Sequence, residues 1–168
     1  MNQARPLVSL LVVAYQAAAC LPDLLADLRA QDYPAEALEA VLVDGLSPDG
    51  TKALMLRFAA TAPMPVRVLD NPGRSLACGC NVALAASRGD LLVRLDAHAR
   101  IPSDFITRNV EAMTPDRDIV GGKVEAFSPH TPWEAVLVAL DTSRFAGGAA
   151  AFRNAGRLRA VDTLAYAM

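Results

Sequence analysis

Two aspartates, Asp44 and Asp96, each stand at the end of an apolar run, and the chemistry of this chain is concentrated around them. Val41, Leu42 and Val43 lead into the first. The run from Leu91 to Leu95 leads into the second, and His98 follows two positions later. Open α/β sheets bind ligands beyond the carboxyl ends of their strands, so two acidic strand ends predict one cleft for a polar ligand. A carboxylate there can accept hydrogen bonds from a nucleobase or from sugar hydroxyls, the role predicted for Asp44, whose other reading is to build the turn and cap with Ser47 and Asp49. An aspartate is also a hard oxygen ligand for Mg2+ or Mn2+, and imidazole suits Mn2+ better than Mg2+. If the segment stays extended, Asp96 and His98 point the same way across the compact Ala97 and could address one cation and its diphosphate. The same spacing also describes a solvated strand end with His98 bonded to a backbone carbonyl.

Other polar residues fall around these two. Arg74 follows the turn Asn71-Pro72-Gly73 and precedes a helix start, where it could meet a phosphate together with helix N-terminal amides, or simply be solvated. Asn81 lies among Leu76, Val82 and Leu84 at helical spacing; if buried, its amide must find partners, from a nucleotide or from neighbouring backbone. Ser47 and Asp49 suit a turn and a cap for the helix that starts near Thr51. Cys20, Cys78 and Cys80 lack the spacing of redox or zinc sites and read as structural thiols. No Gly-Lys-Ser or Gly-Lys-Thr phosphate loop occurs, and the glycines between 45 and 50 lack the dinucleotide spacing.

The elements that must position these residues alternate in type. Apolar runs predict strands over 7–13, 39–43, 66–69, 91–95 and, weakened by glycines, 119–124. Helical spacing predicts helices over 17–31, from 51 to the prolines at 63 and 65, over 75–87, from 102–104 to Met113, and over 133–140. This order predicts an α/β sheet with parallel neighbours and right-handed crossovers. At 168 residues, 53% hydrophobic and 20% charged, the chain suits one folded domain with a two- or three-layer core. A net charge of −2, without any basic block, offers nothing to attract nucleic acid. No apolar run reaches the roughly 18 residues of a membrane span, and residues 1–9 read as the approach to a strand rather than a secretory signal.

In order along the chain, these motifs resemble the family 2 glycosyltransferases, and among them the succinoglycan-type bacterial exopolysaccharide enzymes. The segment at 8–13 is similar to their first strand, and Gln31-Asp32-Tyr33-Pro34 to the close of their first helix. The segment 43–51 is similar to their nucleotide-binding strand end. Asn71-Pro72-Gly73-Arg74 with Gly79-Cys80-Asn81 resembles their next loop and helix, and Arg94-Leu95-Asp96-Ala97-His98-Ala99 resembles their variant of the Asp-x-Asp metal motif. The likeness implies a three-layer α/β/α, Rossmann-like fold of GT-A type, with a mostly parallel central sheet. It implies an inverting transfer from a nucleoside-diphosphate sugar, a UDP-sugar, to a polysaccharide or lipid-linked acceptor, assisted by Mg2+ or Mn2+. Asp44, Arg74, Asn81 and Asp96 would contact the donor, and Asp96 with His98 would hold the metal. Asp90 would lie near the nucleotide or serve its turn. The setting implied is the bacterial cytoplasm or the inner face of the membrane, within a polysaccharide assembly.

The sequence departs from that family pattern in three places. Where the family has a proline followed by arginine-asparagine-glutamate, this chain has Val13 and then Tyr15-Gln16-Ala17, without the carboxylate. The small-residue segment at 146–151 lacks the usual asparagine. The match ends after Asp162-Thr163, before the region that supplies the base for the acceptor hydroxyl. Residues 1–168 are thus expected to be a single domain with a nucleotide-sugar-binding half at 1–124 and a partial acceptor-side half at 125–168, incomplete at the C-terminus. Two readings follow: a transferase whose base is Asp141, Asp162 or a residue of another chain, or a catalytically inactive sugar-nucleotide-binding scaffold. A strand end left unpaired at 161–164 would favour pairing with a second copy. A NAD-binding or phosphate-sensing domain lacks its glycine fingerprint or its aspartate–lysine constellation.

Overall fold

The computed structural model describes residues 5–122 and 131–142. Its element order is β1 (Val8–Ala14), α1 (Leu21–Arg29), a 3-10 turn (Ala35–Ala37), β2 (Leu38–Asp44), α2 (Thr51–Ala59), β3 (Val66–Asp70), α3 (Leu76–Ala86), β4 (Leu91–Asp96), α4 (Phe105–Ala112) and α5 (Pro132–Thr142). Residues 5–112 belong to one compact unit, and 113–122 with α5 belong to a second.

In the first unit the four strands pair in the order β3-β2-β1-β4, all parallel. The expected α/β, Rossmann-like architecture is therefore present. β1 and β2 lie in the middle and are buried along nearly their whole length, which explains why they read as unbroken apolar runs. α3 covers one face, where Ala83 packs with Leu11, Val41 and Val43. α1 and α2 pack on each other and bury Leu21, Leu24, Leu25 and Leu28 from one, Met55 and Phe58 from the other.

Several expectations need correction. α1 begins at Leu21 rather than at residue 17, and the N–H groups of Ala17 and Ala18 before it donate to Thr51 Oγ1 and Asp49 Oδ2 in the neighbouring loop. Leu54, Leu56 and Phe58 read as the apolar positions of the second helix, but α2 buries Phe58 with Thr51 and Met55, one i, i+4, i+7 face, and leaves Leu56 52% exposed. α3 turns Gly79 and Ala83 inward and leaves Leu76 and Leu84 exposed, so the close approach of helix to sheet is made by its small residues. The strand expected at 119–124 is reduced, among the described residues, to one bridge at Gly121, as two adjacent glycines favour. Its last two residues, the segment at 146–151, Asp162 and the strand expected at 161–164 lie outside the described residues. Among those described, no helix is long and apolar enough to cross a membrane.

Candidate functional site

The strand order reverses direction at β1. From there the chain adds β2 and β3 on one side and β4 on the other, the kind of switch point at whose carboxyl ends open α/β sheets bind ligands. Asp44 ends β2 and Asp96 ends β4, so both lie at that edge, on either side of β1. Two inter-strand spacings separate their strands, on the order of 10 Å. Register adds a detail that sequence spacing could not show. Asp44 lies level with Ala14, whereas Asp96 lies level with Val13, one residue earlier. Alternation then directs the two carboxylates to opposite faces of the sheet. A ligand touching both must lie across the edge, over the end of β1, rather than in a pocket on one face.

Among the described residues, three non-glycine residues have left-handed backbone: Gln16 at φ 51°, Leu46 at 62° and Arg74 at 52°. Each lies in the loop leaving β1, β2 or β3, at this same edge. Such conformations cost about 1–3 kcal/mol each and cluster at working sites.

Asp44 is 1% exposed; its Oδ2 accepts from the Ser47 N–H at 3.0 Å, while Oδ1 is buried without a partner. Beside it, the Asn71 N–H donates to the Asp44 carbonyl at 2.7 Å. The Asn71 side chain is also buried: Nδ2 donates to the Ser75 carbonyl at 2.9 Å, and Oδ1 has no partner. The sequence presented Asn71 only as a turn residue. Its signal was its place directly after a strand that also ends in an aspartate. Tyr15, just past β1, is 50% exposed, and its ring lies against Gly45, where an added Cβ would come within 3.1 Å of it.

The loops carrying these groups are joined. Ser47 Oγ accepts from the Gln16 N–H at 2.9 Å, and Asp49 Oδ1 accepts from both the backbone and the hydroxyl of Thr51. Hydrogen bonds from the Thr51 hydroxyl and the Ala18 N–H hold the Asp49 carboxyl below its ordinary pKa. Ser47 and Asp49 therefore build the loop, as their types predicted.

The remaining candidates are dispersed. Arg74 is exposed at the start of α3, just before its cap Ser75. Asn81 is exposed on α3, two residues and thus about 200° around the helix from the inward Gly79, so the requirement of a buried amide does not arise. Asp90 precedes β4 at the opposite end of the sheet, where Oδ2 accepts from the Leu7 N–H; it serves that turn.

Asp96 is the last residue of β4, and its carbonyl accepts from the Ala99 N–H at 2.9 Å. That bond closes a turn in which Ala97 and Ala99 are buried and His98 is exposed. The extended geometry expected to align Asp96 and His98 is absent. Among the described residues no group of three or more His, Cys, Asp or Glu side chains could hold a metal. Asp96 alone, partly exposed at the edge, still fits Mg2+ or Mn2+ of the kind whose remaining ligands are phosphates and waters.

Residues 9–147 match the family described as Glycosyl transferase family 2. The chain belongs to this family. Among curated family 2 relatives, the succinoglycan biosynthesis protein ExoA of Rhizobium meliloti (strain 1021) is 36% identical over 110 residues, covering 62% of this chain and 33% of that protein. An undecaprenyl-phosphate 4-deoxy-4-formamido-L-arabinose transferase of Pseudomonas aeruginosa (strain LESB58) is 33% identical over 147 residues, covering 84% of this chain and 43% of that protein. The chain thus spans a third to less than half of these relatives. The mannosyltransferase PcManGT of Pyrobaculum calidifontis, solved with GDP-Man and Mn2+, superposes with a TM-score of 0.68 at 29% identity, covering 82% of this chain and 39% of that one. TarS 1–349 of S. aureus with UDP shares the fold at a TM-score of 0.57 and 22% identity, covering 74% of this chain and 38% of that one. The family 2 fold of GT-A type expected from the motifs is the fold observed.

Proposed function

We propose that this family 2 domain binds a nucleoside-diphosphate sugar across the carboxyl edge of its sheet. The observation that carries the reading is the pair of buried, unpartnered oxygens, Asp44 Oδ1 and Asn71 Oδ1, beside the crevice. A buried acceptor without a donor costs about 1–3 kcal/mol, which a ligand N–H or O–H relieves. A nucleobase or ribose offers such donors, and the half-exposed Tyr15 ring offers a flat apolar surface for the base. From Asp44 the ligand would run over the end of β1 toward Asp96, with Arg74 near its phosphates.

Transfer would proceed with inversion to a polysaccharide or lipid-linked acceptor, at the inner face of a bacterial membrane. The relatives named for succinoglycan biosynthesis and for undecaprenyl-phosphate support the acceptor class. A bound Mg2+ or Mn2+ would supply charge neutralisation on the departing diphosphate, and Asp96, with His98 only if its turn rearranges, would hold it. The complex of PcManGT with GDP-Man and Mn2+ supports that part of the reading.

Calorimetry with UDP and GDP, each with Mn2+ or with chelator, tests the proposal. Asp44→Asn should weaken the preferred nucleotide about 10- to 100-fold, the worth of a buried hydrogen bond to a charged group. Asp96→Asn should remove the metal dependence. A folded protein that binds neither nucleotide, or an Asp44→Asn variant that binds as wild type, would overturn the reading. Sugar transfer by the nucleotide-binding protein to lipid-linked acceptors then separates a transferase from a binding scaffold.

A further inference from the structure

The end of β3 carries an aspartate of its own. Asp70 is the register partner of Asp44 on the neighbouring strand, so their side chains leave the same face of the sheet, one strand spacing or about 4.8 Å apart. α2 packs on β2 and β3, and Lys52 in its first turn reaches Asp70: Nζ donates to Oδ1 at 2.6 Å and to Oδ2 at 2.8 Å. An ammonium has three N–H donors, so one is left over. The Lys52 and Asp70 side chains are 42% and 45% exposed, which keeps the pair within reach of a ligand. Asp44, one strand away, has the opposite character: a buried carboxylate oxygen without a donor. An acceptor and a donor thus stand side by side.

The Tyr15 ring lies against Gly45, the residue after Asp44, so a base stacked on that ring comes beside the Asp44 carboxylate. Uracil carries N3–H next to a carbonyl, and guanine carries N1–H next to O6. Cytosine and adenine have a ring lone pair in place of that N–H and an amino group in place of that carbonyl. We propose that Lys52, held by Asp70, donates to the base carbonyl next to the N–H that Asp44 accepts, and so selects uracil or guanine over cytosine and adenine. The wrong bases would set a lone pair against the carboxylate and an amino group against the ammonium. Lys52 is then a specificity-determining residue, and Asp70 orients it. This inference rests on the donor-binding reading and adds to it which bases the site takes.

Calorimetry with UDP, GDP, CDP and ADP tests it, because the four share a ribose diphosphate and differ in the base; circular dichroism checks folding. The wild type should bind UDP or GDP at least about tenfold more tightly than CDP and ADP, the worth of satisfying a buried acceptor. Lys52→Met should narrow that preference about 3- to 10-fold, as suits one hydrogen bond from a part-exposed ammonium. Lys52→Arg keeps a cationic donor and should retain most of it. A pair that served only the fold, or only the overall charge, would weaken all four nucleotides alike in Lys52→Met and leave their ratios unchanged. That outcome would overturn the inference. Wild-type protein that binds the four equally, or prefers CDP or ADP, would overturn it too while leaving the donor reading intact. Protein that binds none of them would sink the donor reading and this inference with it.

Discussion

Asn71 uses its backbone N–H, its backbone carbonyl, which accepts from the Arg74 N–H at 3.1 Å, and its side-chain NH2 group. Its N–H and its Nδ2 both donate to main-chain carbonyls, of Asp44 and Ser75, and only Oδ1 is left over. Asn71→Asp would set a second oxygen against the Ser75 carbonyl in place of a donor. The expected cost is about 1–3 kcal/mol of stability, read in a denaturant titration, together with at least tenfold weaker nucleotide binding. A variant as stable as wild type would show that the amide orientation differs from the one described. Asp44 was legible because its apolar approach marked it as a strand end. Asn71 was not, because asparagine before proline and glycine is ordinary turn chemistry, and its burial depends on α3 closing over it. The same dependence on folded context separates Asp96, whose strand end was readable, from His98, whose direction is set by one backbone hydrogen bond.

At the scale of elements, α3 reaches the sheet through Gly79. A Cβ there would lie 2.4 Å from Val13 Cγ1 and 3.0 Å from Asn71 Nδ2. Gly79→Ala should therefore destabilise the domain by about 1–3 kcal/mol despite alanine's better helix propensity, and should weaken nucleotide binding through the displaced Asn71. Chemical denaturation and calorimetry would check both, and a stabilised variant would contradict the packing. The loops leaving β1 and β2 are likewise interdependent. Asp49→Ala removes the acceptor for the Ala18 N–H and for Thr51, so the Tyr15 loop should loosen while the sheet persists. Faster amide exchange confined to residues 15–19 and 47–52 is the expected signature. The segment after β4 is fixed in the same manner by α1 and the residues just past it: Gln31 Nε2 donates to the Pro102 carbonyl and its Oε1 accepts from the Ile106 N–H, while Asp27 of α1 pairs with Arg100 at 2.7 Å. This explains on physical grounds why a glutamine suits the end of the first helix.

For the first unit as a whole, Glu39 ties together the end of the sheet opposite the crevice. It is 6% exposed and accepts from the Ser9 hydroxyl, the Arg88 N–H and Arg67 at 2.6, 2.6 and 2.9 Å. Burial alone would raise its pKa, but those hydrogen bonds and the Arg67 charge outweigh it and hold the carboxyl below its ordinary value. A depressed folded-state value means that the stabilisation is complete above the unfolded-state pKa and is lost as pH falls through the folded one. Glu39→Gln should lower stability at neutral pH by about 2–3 kcal/mol, or roughly 5–10 °C in Tm. The difference from wild type should shrink as pH falls below the usual carboxylate range. A gap that stays constant down to strongly acid pH would show that the charge contributes nothing.

Alone, the sequence determined the kinds and order of the elements in the first unit and the two acidic strand ends. Burial on both faces of β1 and β2 demands continuous apolar runs, and such runs are visible one residue at a time. Motif order likewise carried the family, because each motif keeps its own place along the chain. Only the tertiary structure decided the rest. Register placed Asp44 and Asp96 on opposite faces of one edge, the approach of α3 chose Gly79 and Ala83 over its leucines, and a turn separated His98 from Asp96. These depend on contacts between residues far apart in the chain, and local spacing does not encode which of two faces another element will cover.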